Sequence, residues 1–188
     1  MIDCFTEESI KVIMLAQDES RRLGHSFVST GQILLGAIGE GTSVAAEILK
    51  SKGVTLERAR IEVERISGRG SYLITLEIPF LPEAHRSFNL ASEESERLNH
   101  NYIDVDHLMI EVDHLMLGML RVEDGIGLQV LTALGVEANE VLDPITRSLS
   151  DNSSPRARRN HARALENRAM IELGLEQVER LKHDRPDA

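Results

Sequence analysis

The sequence predicts an all-α protein of two four-helix repeats followed by a C-terminal helical tail, and three observations lead there. Aromatic residues make up only 3% of the chain and Trp is absent, so the core is built from Leu, Ile, Val, Met and Ala. That mixture suits helices packed on helices, because the aromatic and β-branched runs of sheet proteins are missing. Apolar residues recur at helical spacing, as at Ile10, Ile13 and Met14. The chain also repeats itself.

The first helix opens at Thr6, a plausible N-cap followed by Glu7 and Glu8 in the first turn, and closes at Gly24, where a left-handed residue fits. Ser29 or Thr30 caps a second helix carrying Ile33, Leu34 and Ile38. Ser43 leads a third with Ala45, Ala46, Ile48 and Leu49, stopped by Gly53. Thr55 caps a fourth with Leu56, Ala59, Ile61, Val63 and Ile66, ending at Gly68. In the second half, Pro82 suits a first helical turn and the order recurs. Pro144 departs from it and either kinks the last helix or restarts it with Asp143 as N-cap.

Leu23-Gly24-His25-Ser26-Phe27-Val28 lies 75 positions before Leu98-Asn99-His100-Asn101-Tyr102-Ile103, whereas Leu35-Gly36 and Gly53-Val54 lie 82 before Leu117-Gly118 and Gly135-Val136. The added seven residues are a tandem duplication: Ile103-Asp104-Val105-Asp106-His107-Leu108-Met109 is followed at once by Ile110-Glu111-Val112-Asp113-His114-Leu115-Met116. A heptad is close to two turns, so it can lengthen a helix while rotating its buried stripe by only about 20°. These markers divide the chain into residues 1–150, with repeat one at 5–70 and repeat two at 80–149, and residues 151–188, a linker and helix. Two such repeats bury one another's apolar faces.

The formal net charge is −10. Residues 1–150 hold 13 Lys and Arg against 24 Asp and Glu, so the body is acidic and nucleic acid is not an expected partner. Cys4, the single cysteine, cannot form an internal disulfide and fits a reducing compartment. It has no base at a suitable spacing to make it a nucleophile. No apolar stretch approaches about 18 residues, and no signal peptide is read. The expected location is the cytoplasm, or the plastid stroma after processing.

Several stretches resemble the N-terminal domain of the ClpC class of chaperones, especially the cyanobacterial and plastid type. They include Phe5-Thr6-Glu7, Arg21-Arg22-Leu23-Gly24-His25, Gln32-Ile33-Leu34-Leu35-Gly36, Gly39-Glu40-Gly41-Thr42, Glu77-Ile78-Pro79-Phe80 and Asn99-His100-Asn101-Tyr102-Ile103. The resemblance spans roughly residues 4–149. It implies an eight-helix, pseudo-twofold module (a Clp N double repeat) that docks adaptors and substrate proteins. In that family, AAA+ domains that follow do the unfolding. No Gly-x-x-x-x-Gly-Lys-[Ser/Thr] occurs in these 188 residues, so P-loop chemistry is not expected. The expectation is a non-enzymatic binding module without cofactor, acting apart from the ATPase.

The candidate partner-binding residues are Thr6, at the start of the first helix, and, in the segment before the second helix of each repeat that the resemblance implies is used for binding, Thr30, Gln32, Asp106, Asp113 and His114. In some bacterial relatives, glutamates there help hold phosphorylated arginine, a carboxylate pairing with the guanidinium. Here Gly31 stands in place of the glutamate in Ser29-Thr30-Gly31-Gln32, and Asp replaces it in Asp104-Val105-Asp106-His107 or its duplicate Glu111-Val112-Asp113-His114. Loss of phosphoarginine recognition is the reading these departures favour. The two Asp-His pairs do not suggest a metal, because residues seven apart on a helix lie about 10.5 Å apart along it. His25 and His100, at equivalent places, are expected to cap helix C-termini.

The tail begins with the linker Asp151-Asn152-Ser153-Ser154-Pro155 and a basic run, Arg156 to Arg163, before apolar residues at Leu165, Ile171, Val178 and Leu181. A solvated helix and a partner-docking helix both fit it. For the whole chain three functions compete. It binds Clp adaptors, substrates or the protease core; it stabilises or caps that core; or it is a decaying fragment that has lost its partner surface.

Overall fold

The computed structural model describes residues 5–71, 78–98 and 110–151. They form eight helices: α1 (Glu7–Leu23), α2 (Thr30–Glu40), α3 (Val44–Ser51), α4 (Leu56–Ser67), α5 (Pro82–Arg97), α6 (Val112–Leu120), α7 (Ile126–Ala133) and α8 (Asn139–Ser150). The tail expected beyond residue 151, and Cys4, His100 and Asp106, lie outside the described residues.

The local punctuation acts largely as the residue types require. The side chains of Thr6, Ser43 and Thr55 accept hydrogen bonds from the third backbone N–H of α1, α3 and α4. Of the two candidates for α2 it is Ser29 that caps, with Gln32 completing a capping box. Gly24 closes α1 at φ 67, and its N–H and that of His25 reach back to the carbonyls of Arg21 and Ser20. Pro82 opens α5. α8 runs as one helix through Pro144, so the restart at Asp143 does not occur. Its buried stripe, Val141, Ile145 and Leu149 at spacing four, holds the helix together across the missing proline N–H.

The pseudo-twofold is written in backbone contacts. A Cβ on Gly36 of α2 would lie 2.4 Å from the Val12 carbonyl oxygen and 3.2 Å from the Ala16 nitrogen. A Cβ on Gly118 of α6 would lie 2.2 Å from the Ser87 carbonyl oxygen and 2.6 Å from the Ala91 nitrogen. Ser87 and Ala91 stand 75 positions after Val12 and Ala16, so each repeat seats its second helix on its first at the same bare-backbone point.

The repeats also exchange their entry segments. Phe5, ahead of α1, forms a parallel bridge with Ile110, ahead of α6; Val28, ahead of α2, pairs likewise with Phe80, ahead of α5. Thr6 N–H donates to the Ile110 carbonyl at 3.2 Å, and Leu81 N–H donates to the Val28 carbonyl at 2.8 Å. Each half therefore completes the other, with Phe5, Phe80 and Phe88 meeting edge to face between them.

These pairings decide which copy of the duplicated heptad the fold uses. Ile110, 82 positions after Val28, makes the bridge, so the second copy takes the structural place of Val28–Leu34. Among the described residues the heptad does not lengthen a helix: α6 has 9 residues against 11 in α2.

Buried acids repeat as well. Glu19 of α1 and Glu94 of α5, 75 positions apart, are each bound by the arginine three residues on, Arg22 and Arg97. A second arginine completes each clamp, Arg60 from α4 for Glu19 and Arg121 for Glu94. Burial pushes the Glu19 carboxyl up, but hydrogen bonds and charge from Arg60 and Arg22 outweigh it and hold the group below its usual range.

Candidate partner-binding site at the repeat junction

The residues singled out in the sequence gather where helix N-termini of one repeat meet those of the other. α2 opens with Ser29, whose hydroxyl accepts the Gly31 N–H at 3.1 Å, while Gln32 Oε1 accepts the Ser29 N–H at 2.9 Å. The Gln32 amide then donates to His25 Nδ1 at 3.2 Å, which leaves Nε2–H to donate to the Gly68 carbonyl at 3.0 Å. A buried polar chain therefore runs from the N-cap of α2 to the C-cap of α4. His25 caps a helix C-terminus as expected, but with its ring the helix is α4, not the α1 it follows; its ring also stacks on Phe27.

Thr30 joins the two repeats. Its N–H donates to Glu83 of α5 at 2.8 Å, and its hydroxyl accepts the Gly127 N–H of α7 at 3.0 Å. Beside it, a Cβ on Gly31 would lie 2.7 Å from Cγ2 of Ile126. A side chain at position 31 therefore meets Ile126, the first residue of α7.

The matching corner in repeat two uses different chemistry. Glu111 N–H donates to His114 Nδ1 at 3.0 Å, as Ser29 N–H does to Gln32. Asp113, at the position equivalent to Gly31, reaches across to α3: Oδ1 accepts the Ala45 N–H at 2.9 Å and Oδ2 the Val44 N–H at 3.3 Å. A carboxylate at a helix N-terminus satisfies free N–H groups and complements the dipole.

Burial sorts the expected partner-binding residues. Thr30, Gln32, Asp113 and His114 have 0% exposure. Their polar atoms face inward, so they shape the junction and present nothing to solvent. Thr6 is half-buried, its hydroxyl accepting the Ser9 N–H and donating to the Ser9 hydroxyl. Sequence reasoning missed Glu83, Ile126 and Gly127. The signal for Glu83 was its place in the first turn after Pro82. One Glu83 oxygen, Oε2, is buried and has no hydrogen-bond partner among the described residues. No group of three or more His, Cys, Asp or Glu suited to a metal ion occurs among the described residues, and no helix there is long and apolar enough to cross a membrane.

Comparison with known proteins agrees with this architecture. The chain is 50% identical over 153 residues to "Chaperone protein ClpC1, chloroplastic" of Oryza sativa subsp. japonica, covering 81% of this chain and 16% of that protein. The Arabidopsis thaliana protein of the same name matches at 50% with the same coverage. The chain thus spans about a sixth of the length of these relatives. Among solved structures, the N-terminal domain of the chaperone ClpD from Arabidopsis thaliana superposes with a TM-score of 0.65 at 29% identity, covering 79% of this chain and 99% of that one. The Hsp104 N-terminal domain from Candida albicans, at 16% identity and a TM-score of 0.58, shares the fold. A family model described as the Clp repeat (R) N-terminal domain matches residues 4–112, more than half of the sequence, and the chain belongs to that family.

Proposed function

We propose that this chain is a non-catalytic binding module of a Clp chaperone–protease system that docks adaptors or substrate proteins. The observation that carries this reading is the match of 81% of the chain to a portion amounting to 16% of chloroplastic ClpC chaperones. The relatives' names favour the plastid stroma as its site of action, with the cytoplasm as the alternative. Thr30, Gln32, Asp113 and His114 contribute indirectly, by fixing the relative placement of the two repeats, while among the described candidates Thr6 is the one within reach of a partner. Gly31 and the overlying Ile126 argue that phosphoarginine is not its ligand.

Affinity capture from native extract with the full 188-residue chain tests the proposal. Recovery of Clp adaptors or client proteins supports it. Recovery of the protease core without adaptors would favour a structural accessory that stabilises or caps that core. Recovery of no Clp component overturns both.

A further inference from the structure

Two large apolar side chains among the described residues are strongly exposed: Met14 at 63% and Ile61 at 60%. They lie on different helices, α1 and α4, both of which pack against α2. Leu15 and Leu56 flank Gly39 from either side, at 3.6 and 3.9 Å from where its Cβ would be. Four residues further along both helices, Arg60 Nε donates to Glu19 Oε1 at 3.0 Å. α1 and α4 therefore run in the same direction, joined through α2 and this ion pair. A residue turns about 100° from its neighbour around a helix. From this seam, Ala16 and Ala59 turn to the same side, and both are fully buried. Met14 and Ile61 turn the opposite way, together, into solvent.

Repeat two does not share this face. The equivalents of Met14 and Ile61 are Asn89 and Asp143, both exposed and polar. Around Ile61 the charges are ordered. Glu57 lies four residues before it and Arg65 four after, and all three are exposed. Arg65 pairs locally with Glu62 at 2.7 Å, whereas Glu57 makes no ion pair among the described residues. In an antiparallel helix pair related by a twofold axis at Ile61, residues equally spaced from the centre face one another. Glu57 then meets Arg65 of the second copy, twice, around a central Ile61–Ile61 contact.

We infer that the α1–α4 face is a self-association surface, on which a second copy of this chain docks with its α4 antiparallel across Ile61 and each Glu57 pairs with the other copy's Arg65. An isologous contact of this kind closes on itself at two subunits. The alternating charges set the direction of the helices.

Sedimentation velocity of the full chain over a wide concentration range tests this. A concentration-dependent dimer is expected. Ile61→Asp, which places two like charges at the centre, raises the dimer dissociation constant by about tenfold or more. Glu57→Arg weakens the dimer by setting Arg against Arg, and the double variant Glu57→Arg/Arg65→Glu restores it, because the exchanged pair is again complementary. Ile61, Glu57 and Arg65 are exposed, and thermal melts of each variant verify folding. A chain that stays monomeric throughout overturns the inference. So does a dimer indifferent to Ile61→Asp, or one that the double exchange fails to restore.

Discussion

The Asp113 carboxylate in repeat two accepts the backbone N–H of Ala45 in repeat one at 2.9 Å, and both residues are fully buried. The contact joins positions 68 residues apart and does for α3 what a local cap cannot do alone: Ser43 takes the Ala46 N–H, and Asp113 takes Ala45 and Val44. Thr30 performs the reciprocal service for α7 through Gly127. The two halves are thereby tied at helix ends as well as through their apolar faces.

Asp113→Ala should destabilise the domain by roughly 1–3 kcal/mol, since it leaves buried N–H groups without an acceptor. Asp113→Asn keeps one acceptor oxygen and should lose less. Urea denaturation of the three proteins checks the order. Equal stability of Asp113→Ala and the parent would remove Asp113 from the set of structural caps.

Gly118→Ala and Gly36→Ala should be among the most damaging single-methyl additions in the chain. In both cases the new Cβ meets a backbone carbonyl oxygen, at 2.2 and 2.4 Å, and backbone cannot swing aside as a side chain can. Overpacking of this kind costs about 1–3 kcal/mol or more, read as a lower melting temperature. Gly31→Ala meets a methyl of Ile126 instead, and its melting temperature should fall less.

Glu19 should make part of the stability acid-sensitive. Its carboxyl lies below the ordinary value of 4.5 in the folded protein because the clamp by Arg60 and Arg22 outweighs burial. A depressed folded value means the contribution is complete above the unfolded value and is lost as pH falls through the folded one. Glu19→Gln should therefore be less stable than the parent at neutral pH, by about 1 kcal/mol given the partial exposure of the arginines. The gap should close as the pH drops below 4.5. A gap that stays constant down to pH 3 would contradict this role.

What was legible beforehand is what local chemistry and internal repetition encode. Thr6, Ser43 and Thr55 announce helix starts because their side chains serve N–H groups three residues away, and Gly24 announces an end because φ 67 suits glycine. The matching of Gly36 with Gly118 exposed the repeat. The burial of Thr30, Gln32, Asp113 and His114 was not legible. For Thr30, Asp113 and Gln32 the partners Gly127, Ala45 and His25 come from other elements, and a polar residue at a helix start looks the same whether it faces solvent or another helix. Proline at 144 suggested a restart for the same reason: the local rule is sound, but Val141, Ile145 and Leu149 bind the helix to the core on either side of it.

The duplicated heptad gives the sharpest test of the fold. Sliding the chain so that the first copy fills the place of the second would bring Glu111 to the position of Gly118, where even a Cβ stands 2.2 Å from the Ser87 oxygen. It would also bring Asp113 to the buried place of Leu120. One register is therefore selected. Removing 103–109 leaves Leu98 joined to Ile110 by four residues, the same connection that links Leu23 to Val28. Removing 110–116 instead yields a chain that differs from the first deletion at one place, with Asp104 where Glu111 caps α6. Both deletions should fold with the parent's helical content. The second should be the more stable of the two by a few tenths of a kcal/mol up to about 1, because aspartate is the better N-cap. Circular dichroism melts of the pair measure this. Loss of helix in both would show that the first copy is part of the folded unit.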